Sequence, residues 1–403
     1  MNFELNGPVE TDDDIPPIDN CRVLVIDDSP LICKLIRTRL EIEGISHVET
    51  AYDGRQGLEK LDSFAPDLII LDIQMPVMDG REVLRLIRSK PKYDSLPIII
   101  ESALEGDIDR EELVEMGATN IITKPINHNL LAMRVRLHLE HQLLIENLRN
   151  YRRRLSQELD LARNMQAELL PSSAEISQIA TKHALQIENS YQPCSEMGGD
   201  FWSIRSIDDH QLALLIIDFA GHGIGASINT FRLNMILSNI SPSGKTPVQF
   251  LERLNRELNR FIRPTEFATA FFGILNTETH SFAYAAAGSP PPVTVNSKSH
   301  KIAIGDSRGV PLGISPSATY ENRHMDFTPD TTLFLFSDAF PETDKKAGGQ
   351  IGIEGMTALI EAGLEDPSSI ANIETLLDRF YAEASGPPND DMTLLSLRNM
   401  DRH

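Results

Sequence analysis

Short apolar runs alternate with amphipathic stretches along residues 21–127, and this alternation restricts the possible folds more than any other feature of the chain. Between the runs, apolar residues recur at the three- and four-residue steps of a helix. Strand and helix follow each other five times, which predicts a doubly wound α/β domain with a parallel sheet covered by helices on both faces. The predicted strands are Arg22–Ile26, His47–Ala51, Leu68–Leu71, Pro97–Ile100 and Asn120–Thr123.

Polar side chains stand where these predicted strands end. Asp27 and Asp28 follow the first strand, and Asp72 ends the third. The carboxyl ends of parallel strands meet at one rim of a doubly wound sheet, where ligands bind. Carboxylates at one rim repel each other unless a hard cation lies among them, so Asp27, Asp28 and Asp72 are predicted to bind Mg²⁺. At the ends of the fourth and fifth strands, Ser102 and Lys124 would hold phosphoryl oxygens while Asp72, the nucleophile, forms an acyl phosphate.

This order of residues resembles the response regulator receiver domain, which we place at residues 21–138 after an acidic, disordered tail of residues 1–20. Taken singly, the Asp27-Asp28 pair would also suit a helix N-cap and Lys124-Pro125 a turn, and the alternative for the whole stretch is an inert flavodoxin-like domain. The resemblance implies a flavodoxin-like fold and phosphorylation of Asp72 by a cognate sensor histidine kinase. The family usually carries Tyr or Phe near the middle of the fifth strand, where this chain has Asn120-Ile121-Ile122. Phosphorylation is therefore expected to be read out differently at the face of helix 4 and strand 5, or chiefly through the helix that leads into the linker.

Residues 139–170 have the composition of a long helix, without Gly or Pro. From Leu137 to Leu169, alternate steps of four and three residues reach mostly apolar or small residues, with His141 and Glu158 as the weak points. A sustained period of about 3.5 residues predicts a parallel coiled coil, and therefore a homodimer formed through this linker. The alternative is a single amphipathic helix that lies on a neighbouring domain.

The balance of charge restricts the class of partner. The chain of 403 residues carries 37 Lys and Arg against 59 Asp and Glu, a formal charge of −22. Such an acidic chain is a poor nonspecific ligand for nucleic acid or for an anionic membrane, and it suits a protein that holds cations. The apolar runs fall far short of the roughly 20 residues of a membrane span, and the acidic N-terminus does not resemble a signal peptide. Three cysteines without metal-type spacing imply no disulfide framework, so we expect a cytoplasmic protein.

Residues 171–403 mix strand-like runs at hairpin spacing with paired helices, which predicts an α+β domain of antiparallel sheet covered by helices. Four separated aspartates stand in turns or beside apolar strand-like runs of this part: Asp200, Asp218, Asp338 and Asp390. With several carboxylates and no Cys/His cluster, they suit two Mg²⁺ or Mn²⁺ ions rather than Zn²⁺. Two such ions can share a bridging water and clamp a phosphoryl group for in-line attack. Each aspartate alone would also fit a loop, a turn or a helix cap.

Their combination resembles the metal-dependent Ser/Thr protein phosphatases of the PPM type, in the bacterial SpoIIE/RsbU-like branch. The resemblance covers about residues 160–398. It includes residues 162–171, which resemble the segment that opens the phosphatase domain in that branch, and residues 309–313. The implied fold is a PPM-type α+β sandwich, in which antiparallel sheets are flanked by helices.

The same resemblance implies a role for each aspartate. Asp218 would bridge both metal ions, aided by the carbonyl oxygen of Phe219. Asp200 would lie close by, mainly through water. Asp338 and Asp390 would hold the second ion.

Other residues near the predicted metal centre either follow the family pattern or depart from it. Asp391 would be a further neighbour of the second ion. Ser203 stands where many members have an additional Asp, and Ala339 stands where Gly usually follows the third metal aspartate. A methyl group at Ala339 would crowd the metal loop if φ had to be positive there. His222 would either assist the leaving group or simply hydrogen-bond the backbone of its loop.

A receiver, a helical linker and a phosphatase together imply a signalling relay, in which phosphorylation of Asp72 changes the state of the output domain. The substrate in this branch is usually a phosphoserine or phosphothreonine protein, typically a STAS-type anti-sigma-factor antagonist or another sigma-factor pathway protein in a partner switch. The alternative is an RssB-like adaptor, which binds a sigma factor or an anti-sigma component without catalysis. A DNA-binding regulator is disfavoured because no helix-turn-helix follows the receiver and the charge is strongly negative.

Overall fold

The computed structural model describes residues 18–103, 107–221, 223–263, 265–365 and 372–400. It divides into two compact units at the junction of Leu155 and Ser156. Most of the predicted tail lies outside the described residues. Its end, Ile18–Asn20, forms a 3₁₀ turn in which Ile18 packs against the core of the first unit.

The first unit contains a parallel five-stranded sheet in the order β2-β1-β3-β4-β5. Its strands are β1 (Arg22–Ile26), β2 (His47–Ala51), β3 (Leu68–Asp72), β4 (Ile98–Ser102) and β5 (Asn120–Thr123). Its helices are α1 (Pro30–Ile42), α2 (Gly54–Phe64), α3 (Gly80–Arg88), α4 (Asp107–Glu115) and the first part of α5 (His128–Ala167). Apolar clusters cover both faces of the sheet, and every residue of β3 and β4 is buried. This is the predicted doubly wound, flavodoxin-like fold.

Side-chain caps set the start of three helices near the carboxyl ends of the strands. Ser29, Asp53 and Asp79 have extended backbone, and each accepts a hydrogen bond from a backbone N–H in the first turn of its helix. Pro30 then takes the first position of α1, where its missing N–H costs nothing. Since these caps follow β1, β2 and β3, the N-terminal ends of the helices lie at the rim that carries the predicted site.

Helix α5 is one unbroken helix of 40 residues, and it contains most of the predicted linker. The predicted boundary at residue 138 therefore falls inside a helix that began at His128, and the helix ends at Ala167, before residue 170. Asn120 of β5 fastens α5 to the sheet. Its Nδ2 lies 3.3 Å from Nε2 of His138, and its Oδ1 accepts a hydrogen bond from Arg134.

The predicted coiled-coil seam of α5 is largely exposed. Its exposed members are Leu137, Leu144, Leu148, Tyr151, Leu155 and Met165. An apolar stripe of this length is unusual on a solvated helix. The coiled coil itself stays a prediction, because the structure contains one chain.

The second unit is built from two antiparallel five-stranded sheets, ordered β13-β10-β9-β8-β7 and β12-β11-β14-β15-β6. The strands of the first sheet are β7 (Asp200–Ser206), β8 (Gln211–Phe219), β9 (Ala268–Asn276), β10 (Ser281–Ala287) and β13 (Arg323–Asp326). Those of the second are β6 (Leu185–Gln192), β11 (Val293–Asn296), β12 (Lys301–Ile304), β14 (Thr331–Phe336) and β15 (Met392–Asn399). The helices are α6 (Ser173–His183), α7 (Ile224–Asn239), α8 (Pro247–Leu258), α9 (Ala339–Glu342), α10 (Gly352–Glu361) and α11 (Ile373–Glu383).

Three apolar clusters define the layers of this unit. The central cluster joins the facing sides of the two sheets, and Trp202 and Leu395 belong to it. The outer side of the first sheet packs against α7 and α8, and the outer side of the second packs against α9, α10 and α11. The result is the α+β sandwich that the sequence predicted, with helices outside and sheets inside.

Candidate phosphoacceptor pocket and metal centre

The rim of the parallel sheet brings the predicted receiver residues together. Oxygen atoms of Asp27, Asp28 and Asp72 all lie within 4.8 Å of one another. Asp27 and Asp72 are buried, whereas Asp28 is exposed. Ser102, buried at the end of β4, lies in the strand next to β3. Three carboxylates this close suit a hard cation such as Mg²⁺, which completes its shell with water.

Lys124 contacts two of the three aspartates of this pocket. Its Nζ donates a hydrogen bond to Oδ2 of Asp72 at 2.6 Å and lies 3.6 Å from Oδ2 of Asp27. Burial alone would lower the pKa of Lys124, but the hydrogen bond and charge of Asp72, together with the charge of Asp27, raise it above its ordinary value. The ammonium group therefore stays charged, as a group that neutralises phosphoryl oxygens must.

Glu101 is a member of this neighbourhood that sequence reasoning missed. It is fully buried in β4, in register with Asp72, and neither carboxyl oxygen has a hydrogen-bond partner in the structure. Burial and the nearby charge of Asp27 raise the pKa of Glu101 to about 8. A lone acidic residue at the end of an apolar run, next to Ser102, was the available signal.

A close backbone approach adds a constraint at Gly80. A Cβ atom at this position would collide with the carbonyl oxygen of Asp72. Gly80 also donates its N–H to the carbonyl oxygen of Ile73 at 2.9 Å. Only glycine permits α3 to begin this close to the residue predicted to accept the phosphoryl group.

In the second unit, two strand pairs bring the predicted metal aspartates together. Asp200 at the start of β7 pairs with Asp218 near the end of β8. Asp338 follows β14 and Asp390 precedes β15, and these two strands are also antiparallel neighbours. Oxygen atoms of Asp218, Asp338 and Asp390 lie within 4.8 Å of one another.

The electrostatics of this cluster are those of a cation site. Oδ1 of Asp200 and Oδ1 of Asp218 are buried, and neither has a hydrogen-bond partner among the residues that the structure describes. Burial, with the charges of Asp338 and Asp390, raises the pKa of Asp218 to about 8. Burial and the charge of Asp218 raise the pKa of Asp200 well above its usual range. Buried, unpaired carboxylate oxygens are costly unless a cation compensates them, so the residues fit Mg²⁺ or Mn²⁺.

Asp391 braces the loops that carry the ligands. Its two carboxylate oxygens accept hydrogen bonds from the backbone N–H groups of Cys194 and Gly199. Its oxygens also group with Asp390 and the thiol of Cys194. Oδ2 of Asp200 is held in turn by the hydroxyl of Thr393 at 2.6 Å. These hydrogen bonds orient the loops that carry the predicted ligands. The role of Asp391 as a neighbour of the second ion stays a prediction.

Gln166 is a second residue that sequence reasoning missed. It is buried near the end of α5, where its Nε2 donates hydrogen bonds to the carbonyl oxygen of Gly198 at 2.6 Å and to Oγ1 of Thr230 at 3.0 Å. Its Oε1 accepts the N–H of Gly198 at 3.2 Å. The segment containing Gln166 matched the family, but nothing in the predicted seam pattern marked this amide as buried.

The two departures from the family pattern do not disturb the cluster. Ala339 begins the helix α9, in which φ is negative, so its methyl group causes no backbone strain. Ser203 lies three positions after Asp200 on β7, so its side chain is on the opposite face of the sheet, towards the helices α7 and α8. His222 lies outside the described residues.

Two family models match the chain. Residues 208–399 match stage II sporulation protein E (SpoIIE), and residues 23–136 match the response regulator receiver domain. The phosphoserine phosphatase RsbU of Bacillus subtilis is 26% identical over 259 residues, which cover 64% of this chain and 74% of RsbU. This chain joins a receiver domain to a SpoIIE-type phosphatase domain. It is therefore a response regulator whose output domain is a phosphatase domain.

Further relatives match the two domains separately. The response regulator PleD of Caulobacter vibrioides is 37% identical over 130 residues, which cover 32% of this chain and 28% of PleD. The phosphoserine phosphatase RsbP of Bacillus subtilis is 25% identical over 185 residues, which cover 45% of this chain and 44% of RsbP. The chain thus spans less than half the length of each of these two relatives.

A solved structure shares the fold of the phosphatase domain. The SiaA-PP2C domain of Pseudomonas aeruginosa superposes with a TM-score of 0.54 and 18% identity, covering 62% of this chain and 98% of that one. At this identity the likeness concerns the fold. Among the helices that the structure describes, none is both long and apolar enough to span a membrane.

Proposed function

We propose that this protein hydrolyses phosphoserine or phosphothreonine in a protein substrate, and that phosphorylation of Asp72 by a sensor histidine kinase controls this activity. One observation carries the proposal: oxygen atoms of Asp218, Asp338 and Asp390 lie within 4.8 Å of one another, and a buried oxygen of Asp218 has no hydrogen-bond partner among the described residues. The names of the relatives RsbU and RsbP agree with a phosphoserine substrate.

In the proposed hydrolysis, the aspartates would hold the metal ions, and the ions would act on the water and the phosphoryl group. Asp218 would contact both ions, with the carbonyl oxygen of Phe219, and Asp338 and Asp390 would hold the second. Two bound Mg²⁺ or Mn²⁺ ions supply an activated water and stabilise the charge on the phosphoryl oxygens. Asp200 is kept close to Asp218 by their strand pairing, and its carboxylate accepts a hydrogen bond from Thr393.

Helix α5 supports the proposed control. In the receiver it is fastened to Asn120 of β5, and near its other end Gln166 is bonded to the loop that precedes Asp200. A change in the helix at the receiver can therefore reach this loop along the helix backbone and through the hydrogen bonds of Gln166. This favours readout through the linker helix over readout at the face of helix 4 and strand 5. The exposed apolar stripe of α5 supports a parallel homodimer through the same helix.

The relatives of the phosphatase domain also suggest a substrate and a pathway. We propose a STAS-type anti-sigma-factor antagonist, phosphorylated on serine or threonine, as the substrate in a cytoplasmic partner switch. The support is the similarity to RsbU and RsbP. The alternative of an RssB-like adaptor without catalysis is less well supported, because Ser203 and Ala339 leave the aspartate cluster intact.

Mn²⁺-dependent hydrolysis of para-nitrophenyl phosphate tests the proposal. The wild type should release nitrophenol only with Mn²⁺ or Mg²⁺, and Asp218→Asn should be inactive at every metal concentration. Asp326→Asn is the matched control, because this exposed aspartate of β13 lies outside the cluster. Full hydrolysis by Asp218→Asn would place the reaction elsewhere, and a folded wild type without activity would favour the adaptor.

A further inference from the structure

Helix α7, which begins shortly after Asp218 in the chain, presents an apolar stripe to solvent. The helix begins at Ile224, shortly after Asp218 and Phe219 in the chain. Ile224, Ile228 and Met235 are exposed, and Met235 keeps 71% of its surface accessible. These positions are separated by four and seven residues, so they lie on one face of the helix. An exposed apolar face next to a catalytic centre is typical of a protein-binding surface.

The stripe continues into a groove between α7 and the turn that follows α8. The groove has a volume of about 340 Å³, and Met235, Ile236 and Phe261 line it. Two cations, Arg232 and Arg253, and one carboxylate, Glu257, also line it. Apolar residues combined with charged ones are the usual composition of a specific protein interface.

The charge of this surface is opposite to that of the rest of the chain. Residues 224–263 carry six Lys and Arg against two Asp and Glu, whereas the remaining residues carry 31 against 57. Arg253, Arg256 and Arg260 follow each other at steps of three and four, and all three are exposed. A basic surface of this kind attracts an acidic partner and disfavours a basic one.

We propose that this groove, formed by α7, α8 and the turn after α8, docks an acidic amphipathic segment of the phosphorylated protein substrate while the phosphoserine occupies the metal centre. The proposal rests on the proposed phosphatase function and adds a determinant of substrate choice. The apolar face of the segment covers Met235 and Phe261, and its acidic residues face Arg232 and Arg253.

Other occupants fit the surface less well. A second copy of the chain packed through a two-fold axis would set this basic patch against itself. Nucleic acid would meet a chain with a formal charge of −22, which repels a phosphate backbone outside this patch.

The test compares a small phosphoester with an acidic phosphoserine protein. The groove variant combines Met235→Asp with Arg253→Glu. The matched control combines Ile304→Asp with Lys301→Glu on β12, where it also changes one exposed aliphatic residue and reverses one exposed cation. Hydrolysis of para-nitrophenyl phosphate and release of phosphate from β-casein are measured for both variants and the wild type.

The groove variant should lose about tenfold or more in kcat/KM for β-casein, chiefly through KM, as expected for removal of interface hot spots. Its hydrolysis of para-nitrophenyl phosphate should match the wild type, and the control should match the wild type on both compounds. Equal turnover of β-casein by the groove variant and the control overturns the proposal. So does a parallel loss on both compounds, which would locate the effect in the metal centre.

Binding separates this proposal from the phosphatase proposal. If the wild type hydrolyses neither compound, the phosphatase function fails, and fluorescence anisotropy with labelled β-casein then tests the groove alone. Weaker binding by the groove variant than by the control supports docking, whereas equal or undetectable binding by the wild type and both variants overturns it. A dimer that dissociates only in the groove variant, seen by light scattering, assigns the groove to self-association and also overturns the proposal.

Discussion

The side-chain amide of Gln166 forms hydrogen bonds with both backbone polar groups of Gly198. Its Nε2 donates to the carbonyl oxygen of Gly198 at 2.6 Å, and its Oε1 accepts from the N–H of Gly198 at 3.2 Å. The two residues belong to different elements, since Gln166 lies near the end of α5 and Gly198 lies in the loop before β7. A rotation or shift of this part of the helix must therefore move the loop or break both bonds. Because Asp200 follows Gly198 closely in the chain, we expect the state of α5 to be coupled to the geometry of the predicted metal ligands.

Gln166→Ala should weaken Mn²⁺ binding and phosphatase activity by about 10–100-fold, the usual effect of removing a residue that orients a ligand loop. The variant leaves both backbone groups of Gly198 without their buried partner. The matched control is Asn164→Ala, which truncates an exposed amide on the same helix. Mn²⁺ titrations of para-nitrophenyl phosphate hydrolysis provide the measurement. Equal Mn²⁺ dependence in the two variants would argue against the coupling.

Asp72→Asn should abolish phosphorylation of the receiver. Acetyl phosphate with Mg²⁺ should add one phosphoryl group to the wild type, detected by intact-mass spectrometry, because Asp72 is the carboxylate that Lys124 holds at the rim. Beryllofluoride should change the phosphatase activity of the wild type and leave that of Asp72→Asn unchanged. Asp94→Asn, at an exposed position of the same domain, serves as the control. Equal phosphorylation of Asp72→Asn would show that the phosphoacceptor lies elsewhere.

Leu148→Asp should convert a dimer into a monomer. Leu148 lies in the predicted seam of α5 and keeps 67% of its surface exposed in the single chain, so a charge there would be buried in the coiled coil. Leu161→Asp is a close control, because Leu161 is 63% exposed on the same helix but lies outside the seam. Light scattering over a range of concentrations measures the mass. A wild type that stays monomeric at tens of micromolar, roughly where weak pairing shows by mass action, contradicts the coiled coil.

Without metal, Asp218→Asn should stabilise the phosphatase domain at high pH. Burial and the neighbouring aspartates raise the pKa of Asp218 to about 8 in the folded protein, above the value of about 3.9 expected in the unfolded chain. The folded state therefore binds this proton more tightly, and its contribution to the free energy of unfolding is lost as the pH rises through about 8.

Urea unfolding in EDTA at several pH values measures this effect. The advantage of Asp218→Asn over the wild type should grow from about pH 4 to about pH 8 and level off above it, while Asp326→Asn should follow the wild type. An identical pH profile for all three proteins would show that Asp218 is ionised without cost. Excess Mn²⁺ should reverse the order, because the ion stabilises only a centre with its carboxylates intact.

The grouping of Asp27, Asp72 and Lys124 was largely predictable because their placement follows from local pattern, whereas their roles stay predictions. Once the strands are parallel, residues at their carboxyl ends share a rim, so Asp27, Asp72 and Lys124 had to meet. Glu101 escaped prediction because its burial beside Asp27 depends on how β4 packs, and a single acidic residue after an apolar run carries no such information. The boundary at residue 138 stays a prediction: it falls inside α5, where helical periodicity continues and gives no local signal for the end of the receiver.

By itself, the sequence determined the order of strands and helices, the parallel sheet and the positions of the aspartates, because side-chain period and turn residues act over short distances along the chain. Tertiary structure alone decided which distant residues share one site. It brought Asp218 of one sheet to Asp338 and Asp390 at neighbouring strands of the other by packing the two sheets together, and it buried Gln166 against Gly198. These relationships arise from the packing of sheets and helices, where a side chain's partner is set by the neighbouring element and not by its neighbours in the chain.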